Sequence, residues 1–194
     1  MRVNRSSAPP DQQTDADLLS ATAAADERAF HVLYARFERR VYGYIRTLIR
    51  EPRLAEEVTI DTMTAVWQGA RGFAGSARAS TWILGIARHK AIDALRKTAK
   101  RPDLLPIDRL DIEDGTTTSR DAERASSAKQ VQRAIAQLSD DHREVLRLAF
   151  YEELPYEEIG ALLAIPINTV KTRVYYAKQQ LRKQLTQMGI DSAV

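Results

Sequence analysis

The sequence predicts an all-α protein in which two small helical domains are joined by a flexible linker. Apolar residues recur every three or four positions along each long segment, as in amphipathic helices, and no segment alternates apolar and polar residues as a strand does. The chain loses this period and turns acidic at residues 102–127, which is typical of a linker. We therefore expect domains at residues 16–101 and 128–187, with tails at residues 1–15 and 188–194.

Composition excludes several classes of protein. The chain has 194 residues and no cysteine, which rules out disulfides and thiolate zinc sites. No apolar run has the length of a signal-peptide core or of a membrane span, so we expect a cytoplasmic protein. The net charge is only +3, but the basic residues are concentrated in particular segments, which favours an anionic partner.

The first domain should open with a short helix and continue in a long one. Residues 1–15 are rich in Ser, Pro, Gln and Asp and are predicted to be a disordered tail. A short apolar stripe of Leu18, Leu19 and Ala23 follows, and a second stripe runs until Pro52 closes the long helix. The second stripe comprises Ala29, Phe30, Leu33, Tyr34, Phe37, Val41, Tyr44, Ile45 and Leu48.

A third helix, starting near Arg53, should separate apolar from acidic residues. Its core candidates are Leu54, Val58, Met63, Val66 and Trp67. Glu56, Glu57 and Asp61 fall on another side of this helix. Such a carboxylate patch is either a solvated face or a docking surface for a basic partner, and spacing alone favours the solvated face.

Glycines interrupt the helical pattern before a fourth helix. Gly69, Gly72 and Gly75 predict that RGFAGSARA is a loop, and Ser80 or Thr81 is positioned to cap the next helix. The core candidates of that helix are Trp82, Ile83, Ile86, Ala87, Ile92 and Leu95.

The second domain should contain two short helices followed by a helical hairpin. Val131, Ile135 and Leu138 fall on one face, and Ser139 is placed to cap the next helix. The segment Pro155–Lys183 then reads as a helix, a tight turn and a second, strongly basic helix.

The hairpin has start and stop signals for both of its helices. Pro155 suits a first turn, Pro166 prevents the first helix from continuing, and Asn168 is a suitable N-cap for the second. The apolar residues that should join the two helices are Ile159, Leu162, Leu163, Val170, Val174, Ala177, Leu181 and Leu185.

Two basic surfaces follow from these placements. Residues 71–101 hold eight basic residues against one acid, Asp93, with Phe and Trp interleaved. The last helix has no carboxylate from Asn168 to Lys183. Its outer face carries Thr169, Lys171, Thr172, Arg173, Tyr175, Tyr176, Lys178, Arg182 and Lys183. Basic helix faces are usually only solvated, but this combination suits duplex DNA in the second domain and single-strand base stacking in the first.

No residue pattern predicts catalysis. His31, His89 and His142 lie in separate predicted helices without a second ligand at metal-binding spacing, and no glycine-rich phosphate loop follows a strand. We expect no enzymatic activity, cofactor, metal or small-molecule substrate. Two other interpretations stay open at this point: a stand-alone DNA-binding regulator that dimerises through its first domain, and a helical nucleic-acid enzyme that uses the acidic patch and a histidine to hold a metal.

Two motifs together resemble a known family. The segments AEEVTIDTMTAVWQGARGFAGSARASTWILGIARHKAIDALRK and LSDDHREVLRLAFYEELPYEEIGALLAIPINTVKTRVYYAKQQLRK are similar to those of bacterial RNA polymerase sigma factors of the extracytoplasmic-function (ECF) group of the sigma-70 family. The resemblance covers about residues 25–185, and the motifs occur in the family's order. It implies sigma domain 2 at residues 16–101 and sigma domain 4, with its helix-turn-helix, at residues 128–187.

The resemblance implies an alternative sigma factor that binds core RNA polymerase, recognises the −35 and −10 promoter elements and promotes strand opening. It implies that Glu56, Glu57, Asp61 and Trp67 contribute to docking on the clamp helices of the largest polymerase subunit. It also implies contact with the flap of the second-largest subunit and binding by an anti-sigma factor.

The resemblance implies DNA contacts in both domains. The residues implied for −10 recognition and melting are Phe73, Ala74, Gly75, Ser76, Arg78, Trp82, Arg88, His89 and Lys90. Those implied to face the −35 groove are Lys171, Thr172, Tyr175 and Tyr176, and those implied to contact phosphate are Thr169, Arg173 and Lys178. Trp82 is equally consistent with a core position.

Three positions depart from the family's pattern. Asn168 stands where glycine is usual, Tyr176 stands where a basic residue is often found, and Ile60 stands where glutamine is common. The preferred −35 sequence therefore does not transfer to this chain, and the detail of clamp docking stays open.

Overall fold

The computed structural model describes residues 9–75, 77–99 and 130–188. The chain divides into two compact units, Met1–Ile107 (unit 1) and Asp108–Val194 (unit 2). The described residues form helices and no strand, so the prediction of an all-α protein with two helical domains is confirmed. The predicted linker lies outside the described residues.

The described residues of unit 1 form four α-helices around one apolar core. They are α1 (Asp15–Ala23), α2 (Glu27–Leu48), α3 (Pro52–Gly69) and α4 (Ala79–Ala99), and a 3-10 turn, Ala70–Gly72, follows α3. The long helix α2 contacts the other three. The largest fully buried side chains of this core are Leu18, Leu19, Leu33, Phe37, Tyr44, Ile45, Ile49, Met63, Ile83 and Leu84.

Side-chain caps fix where the first three helices begin. Thr14 forms a capping box with Asp17 at the start of α1. Asp26 accepts hydrogen bonds from the amides of Arg28 and Ala29 at the start of α2. Glu51 plays the same part for α3, whose first residue is Pro52, so this proline opens α3 rather than closing α2.

The segment before α1 is packed against α2, which corrects the prediction of disorder for its described part. Pro10–Gln12 form a 3-10 turn. The Arg36 guanidinium donates to the carbonyl oxygens of Asp11 and Gln13, both at 2.8 Å, and to the Asp15 carboxylate at 2.9 Å. Composition alone suggested a disordered tail. It could not reveal these hydrogen bonds, because their donor is a side chain more than twenty residues away. Residues 1–8 lie outside the described residues.

Three details of α4 differ from the prediction. The helix begins at Ala79, so Ser80 and Thr81 lie inside its first turn and do not cap it. Leu95 is exposed, whereas Leu84 is fully buried. Both side chains are leucines near the edge of the predicted stripe, and the packing of α4 against α2 and α3 decides which one is covered.

Between residues 130 and 188, unit 2 forms four helices and a π-helical turn. The helices are residues 130–136 (α5), Asp140–Leu146 (α6), Tyr156–Leu163 (α7) and Ile167–Gln187 (α8), and the π turn Arg147–Tyr151 extends α6. Ser139 caps α6 by accepting from the His142 amide, as predicted. Both α6 and α7 pack on α8. The buried residues joining these elements include Leu138, Val145, Leu148, Leu154, Ile159, Leu163, Val170, Val174 and Ala177.

The turn between α7 and α8 is tight and strained. Ala164 has a left-handed backbone conformation, with φ 56° and ψ 44°. The Ile165 amide donates to the Gly160 carbonyl at 3.0 Å, and Pro166 occupies the N-cap position of α8. Asn168 is therefore inside the helix and is not its cap, because the proline fixes the helix start one residue earlier. The predicted helix-turn-helix itself is present.

Candidate nucleic-acid and partner interfaces

The outer face of α8 presents basic and aromatic side chains to solvent. Lys171 and Thr172 are exposed, and Tyr175 and Tyr176 are 58% and 57% exposed, with ring centroids 5.4 Å apart. Successive helical residues are rotated by about 100°, so these four side chains share the side opposite the buried Val170–Ala177 stripe. Exposed aromatic rings beside uncompensated positive charge suit contact with base edges and phosphates.

Two of the three side chains predicted to contact phosphate lie at one flank of this face, and the third, Lys178, is exposed on the same side as Lys171. Thr169 is half-buried at one flank, and Arg173 on the same side forms a 2.7 Å ion pair with Asp141 of α6. Beside that pair, His142 Nδ1 lies 3.2 Å from Gln180 Oε1. Both contacts join the first turn of α6 to α8.

Two further aromatic residues enlarge this surface, and they were not among the predicted site residues. Phe150 and Tyr151 are 52% and 64% exposed at the end of the π turn. The ammonium of Lys178 lies 4.6 Å from the Phe150 ring centroid, and the Arg147 guanidinium stacks 3.6 Å from that of Tyr151. An aromatic pair at the end of a predicted helix was the available signal, but its exposure depends on the π turn.

The loop before α4 and the first turns of α4 form the candidate single-strand surface of unit 1. Trp82 is half-buried, with its ring centroid 5.6 Å from that of Phe73. Ala74 and Gly75 are exposed, and Gly75 has φ 70°, a conformation that suits glycine. Ser76 lies outside the described residues. Trp82 is thus only in part a core residue, because its ring packs on Phe73 while the side chain stays half exposed, and its role at the −10 element stays a prediction.

An open groove of about 380 Å³ runs along α4. Its lining residues are Thr81, Trp82, Gly85, Ile86, His89 and Lys90. The structure therefore brings three of the predicted −10 residues, Trp82, His89 and Lys90, to one concave surface. His89 Nδ1 lies 3.3 Å from the Asp93 carboxylate at the end of the groove. Arg78 lies just before α4 and is exposed, and Arg88 lies on α4 and is half-buried.

One basic residue of this segment has a structural contact instead. The Arg71 side chain donates to the Ala23 carbonyl at 3.2 Å, which ties the end of α1 to the turn after α3. Its charge remains exposed, but its position is set by unit 1 itself.

The carboxylates of α3 form an exposed acidic face. Glu56, Glu57 and Asp61 are exposed, and they form no ion pair with another described residue. Ile60 lies among them and is exposed as well, so the face has an apolar centre. Apolar centres with charged rims are typical of protein interfaces.

Trp67 stands at the end of this face and connects it with α2. It is half-buried, and its ring centroid is 5.0 Å from that of Phe30, which also contacts Tyr34 edge to face at 6.1 Å. Burial and the neighbouring Glu38 carboxylate raise the pKa of the Tyr34 phenol, so this group stays neutral at physiological pH. The cluster fixes the orientation of the acidic face relative to α2.

The described residues offer neither a metal cluster nor a helix that could span a membrane. Within residues 9–75, 77–99 and 130–188, no three His, Cys, Asp or Glu side chains are grouped so that they could hold a metal ion. None of the helices in this part of the chain is both long and apolar enough to cross a bilayer.

Comparison with known proteins identifies two family regions in the chain. The profile of Sigma-70 region 2 matches residues 33–101, and the profile of Sigma-70, region 4 matches residues 128–181. The first match contains α3, the loop and α4, and the second contains α6 to most of α8.

Solved structures support the same fold. The sigma factor RpoE of Bartonella quintana, in complex with the anti-sigma factor NepR, aligns with a TM-score of 0.67 at 22% identity and covers 82% of this chain and 96% of its own. CnrH, in complex with the cytosolic domain of CnrY, aligns with a TM-score of 0.63 at 22% identity, over 92% of this chain and 99% of its own.

Sequence relatives are closer. The ECF RNA polymerase sigma factor RpoE of Cereibacter sphaeroides is 34% identical over 163 residues, which are 83% of this chain and 88% of that protein. The ECF RNA polymerase sigma factor SigK of Mycolicibacterium vanbaalenii is 31% identical over 175 residues, 87% of each chain. These relatives support the sigma-factor interpretation and not the stand-alone regulator. The protein belongs to the ECF family of RNA polymerase sigma factors.

Proposed function

We propose that this sigma factor directs core RNA polymerase to its promoters by reading a −35 element with unit 2 and a melted −10 element with unit 1. The observation that carries the proposal is the face of α8, where exposed tyrosines and lysines stand on a helix-turn-helix without an intervening carboxylate. A helix of this kind docks in a major groove with its exposed side chains on base edges.

On α8, Lys171, Thr172, Tyr175 and Tyr176 read the −35 bases. Thr169, Arg173 and Lys178 contact the phosphates on either side and set the register. Burial supports part of this division, since Thr169 and Arg173 are half-buried at one flank of the helix, whereas Lys178 is exposed two turns along from Lys171 on the same side. Phe150 extends the surface next to Lys178.

In unit 1, the loop and the groove of α4 hold unpaired bases of the −10 element. Stacking of a base on an aromatic ring is worth about 1–3 kcal/mol and does not require a particular base. Phe73 and Trp82 offer such rings, and Ala74, Gly75 and Arg78 are exposed next to them in the chain. Arg88, His89 and Lys90 attract the strand's phosphates, and the last two line the groove. Because these contacts exist only with open DNA, they shift the equilibrium toward strand separation. No catalytic group is required, so we propose a non-enzymatic role.

The acidic face of α3 docks on the polymerase. Glu56, Glu57 and Asp61 surround Ile60, and a basic partner with an apolar contact point fits this arrangement. We propose the clamp helices of the largest subunit as that partner, with Trp67 contributing at the end of the face, and the flap of the second-largest subunit as the partner of unit 2. Transcription places the protein in the cytoplasm.

An anti-sigma factor is the expected regulator of this chain. The structural relative from Bartonella quintana was solved with one bound. A regulator that covers the acidic face of α3 or the basic face of α8 blocks polymerase or promoter binding by occupying surfaces already described.

Run-off transcription tests the proposal directly. Purified bacterial core polymerase is incubated with promoter fragments from a genomic pool, with and without the protein. We expect discrete transcripts that depend on the protein, and their mapped starts give the −35 and −10 sequences. Absence of transcripts, together with tight duplex binding in the absence of polymerase, contradicts the proposal.

A further inference from the structure

One basic residue of α8 differs from the others in its surroundings. Among the described residues, Arg173 is the basic side chain of α8 that forms an ion pair, because its guanidinium lies 2.7 Å from the Asp141 carboxylate of α6. Lys171, by contrast, is exposed on the outer face. A cation at the flank of the DNA-binding face is thus already neutralised in the free protein.

The pair is placed so that it can be exchanged. The Asp141 side chain is 59% exposed and the Arg173 side chain is 29% exposed, so water and ions reach both groups. Ion pairs in such positions contribute little to stability. A phosphate that approaches Arg173 therefore displaces the carboxylate easily, but the negative charge of Asp141 stays close to the phosphate.

We propose that Asp141 is a built-in competitor of DNA phosphate for Arg173 and lowers the affinity of α8 for duplex DNA of any sequence. The inference rests on the proposed function of α8 as the duplex-binding helix. Arg173 contributes fully to phosphate binding when Asp141 is removed, and it contributes less when Asp141 is present. Binding then depends more on the outward side chains that read bases and on the polymerase that delivers the protein to the promoter.

The neighbouring residue provides a matched control. Asp140 is also an exposed carboxylate in the first turn of α6, but its partner is Arg143, three residues along the same helix. Asp140→Asn and Asp141→Asn change the net charge by the same amount and alter the same helix end, and only the second releases Arg173. A general charge effect or a weakened α6 therefore affects both variants alike.

The test is a binding titration of the full chain with a fluorescent random-sequence duplex over a series of KCl concentrations. We expect Asp141→Asn to bind about three- to tenfold more tightly than Asp140→Asn at low salt. The plot of log affinity against log salt should be steeper by about one for Asp141→Asn, since one more phosphate contact releases its counterion. Asp141→Glu, which keeps the charge, should bind as the wild type does.

Double variants test whether the change in DNA affinity depends on the Arg173–Asp141 ion pair. In an Arg173→Gln background, Asp141→Asn and Asp140→Asn should bind equally. Equal affinity and salt slope of the two single Asn variants overturn the inference, and so does weaker binding by Asp141→Asn, which would mean that Asp141 positions Arg173 for DNA.

The experiments can contradict the competitor role of Asp141 and the proposed sigma function independently of each other. If the wild-type chain supports run-off transcription while the two Asn variants bind alike, the competitor role alone is wrong. If Asp141→Asn binds duplex more tightly but the wild-type chain yields no transcripts with core polymerase, the sigma mechanism alone is wrong.

Discussion

At the scale of single residues, the turn of the helix-turn-helix strains the backbone of Ala164. Its left-handed backbone, with φ 56°, is unfavourable for any residue with a Cβ atom. Ala164→Gly should raise the free energy of unfolding of unit 2 by about 0.5–1 kcal/mol, after allowing for the extra entropy of glycine in the unfolded chain. Thermal unfolding followed by circular dichroism measures the change.

The control for Ala164 lies three residues earlier. Ala161→Gly affects an exposed position inside α7 with ordinary helical geometry, and it should lower the free energy of unfolding by about 1 kcal/mol. The two substitutions are chemically identical, so opposite signs isolate the backbone conformation. A loss of stability in both variants would contradict the strain argument.

Lys171 is the most direct residue-scale test of promoter reading. Lys171→Ala removes an exposed cation from the outward face of α8, and transcription from a promoter with a −35 element should fall about tenfold, as expected for loss of one base or phosphate contact. Binding to core polymerase should stay unchanged in a competition assay. Arg133→Ala, an exposed cation on α5, is the control and should transcribe like the wild type.

Predictions for single residues were correct where the exposure of a side chain depends only on its position around one helix. The outward position of Lys171 and Tyr175 follows from the period of α8 alone, and the structure places both side chains in solvent. The pairing of Arg173 with Asp141 depends on how α6 packs on α8, which periodicity does not determine. Asn168 was a wrong N-cap prediction because Pro166 already fixes the helix start. The DNA-contact roles of all these residues stay predictions.

At the scale of elements, the π turn Arg147–Tyr151 is held by a buried ion pair. The Glu152 side chain is fully buried, and its carboxylate lies 3.0 Å from the Arg147 guanidinium. Glu152→Ala leaves that cation without its buried partner, and we expect unit 2 to lose about 3–5 kcal/mol of stability. Urea unfolding measures the loss.

Glu153 provides the control for the π turn. It carries the same charge one residue later but is exposed, so Glu153→Ala should change the stability by less than about 0.5 kcal/mol. Similar effects of the two substitutions would show that the buried pair is not what stabilises the turn.

The prediction about strand opening concerns two side chains of α4. Trp82→Ala and Arg88→Ala should reduce open-complex formation on duplex promoters more than they reduce binding to core polymerase. The reason is that these side chains act on unpaired DNA, with stacking worth about 1–3 kcal/mol per base. Permanganate footprinting of the promoter measures opening, and a promoter with a pre-melted −10 segment is the control because it should restore much of the activity. Equal loss of polymerase binding and opening would count against the assignment.

Element-scale prediction from sequence depended on whether the signal was local. The caps at Ser139 and the breaks at Pro52 and Pro166 are local, and each one lies at or next to a helix boundary in the structure. The 3-10 turn before α1 was missed because Arg36 of α2 holds it. The π turn was missed because it inserts one residue into an otherwise helical pattern, and the pairing of Arg147 with the buried Glu152 beside it is not visible in the apolar period.

At the scale of the whole molecule, each unit has its own core. Phe37 is fully buried in unit 1, and Leu148 is fully buried in unit 2. Phe37→Ala should lower the stability of unit 1 by about 3–5 kcal/mol because it leaves a cavity. In calorimetry we expect this substitution to shift one unfolding transition and Glu152→Ala to shift another. A single transition that moves with both substitutions would show that the units unfold together.

The fold class of the whole chain was predictable because helical periodicity and a change of composition are visible without tertiary information. The two-domain, all-α prediction is confirmed, and the family resemblance rested on motifs that contain the same residues the structure exposes on α3, α4 and α8. The proposed domain boundaries and the site residues stay predictions. Cross-helix contacts such as Arg36 with Asp11 required coordinates, since they join residues far apart in sequence.

The placement of the tryptophans gives the protein a built-in optical reporter. Both tryptophans lie in unit 1, where Trp67 packs on Phe30 beside the acidic face and Trp82 packs on Phe73 beside the groove of α4. Selectively excited tryptophan emission therefore comes from unit 1 alone. With Trp67→Phe the remaining fluorophore reports single-strand binding, and with Trp82→Phe it reports docking of a protein partner, so two surfaces of one unit can be followed without a label.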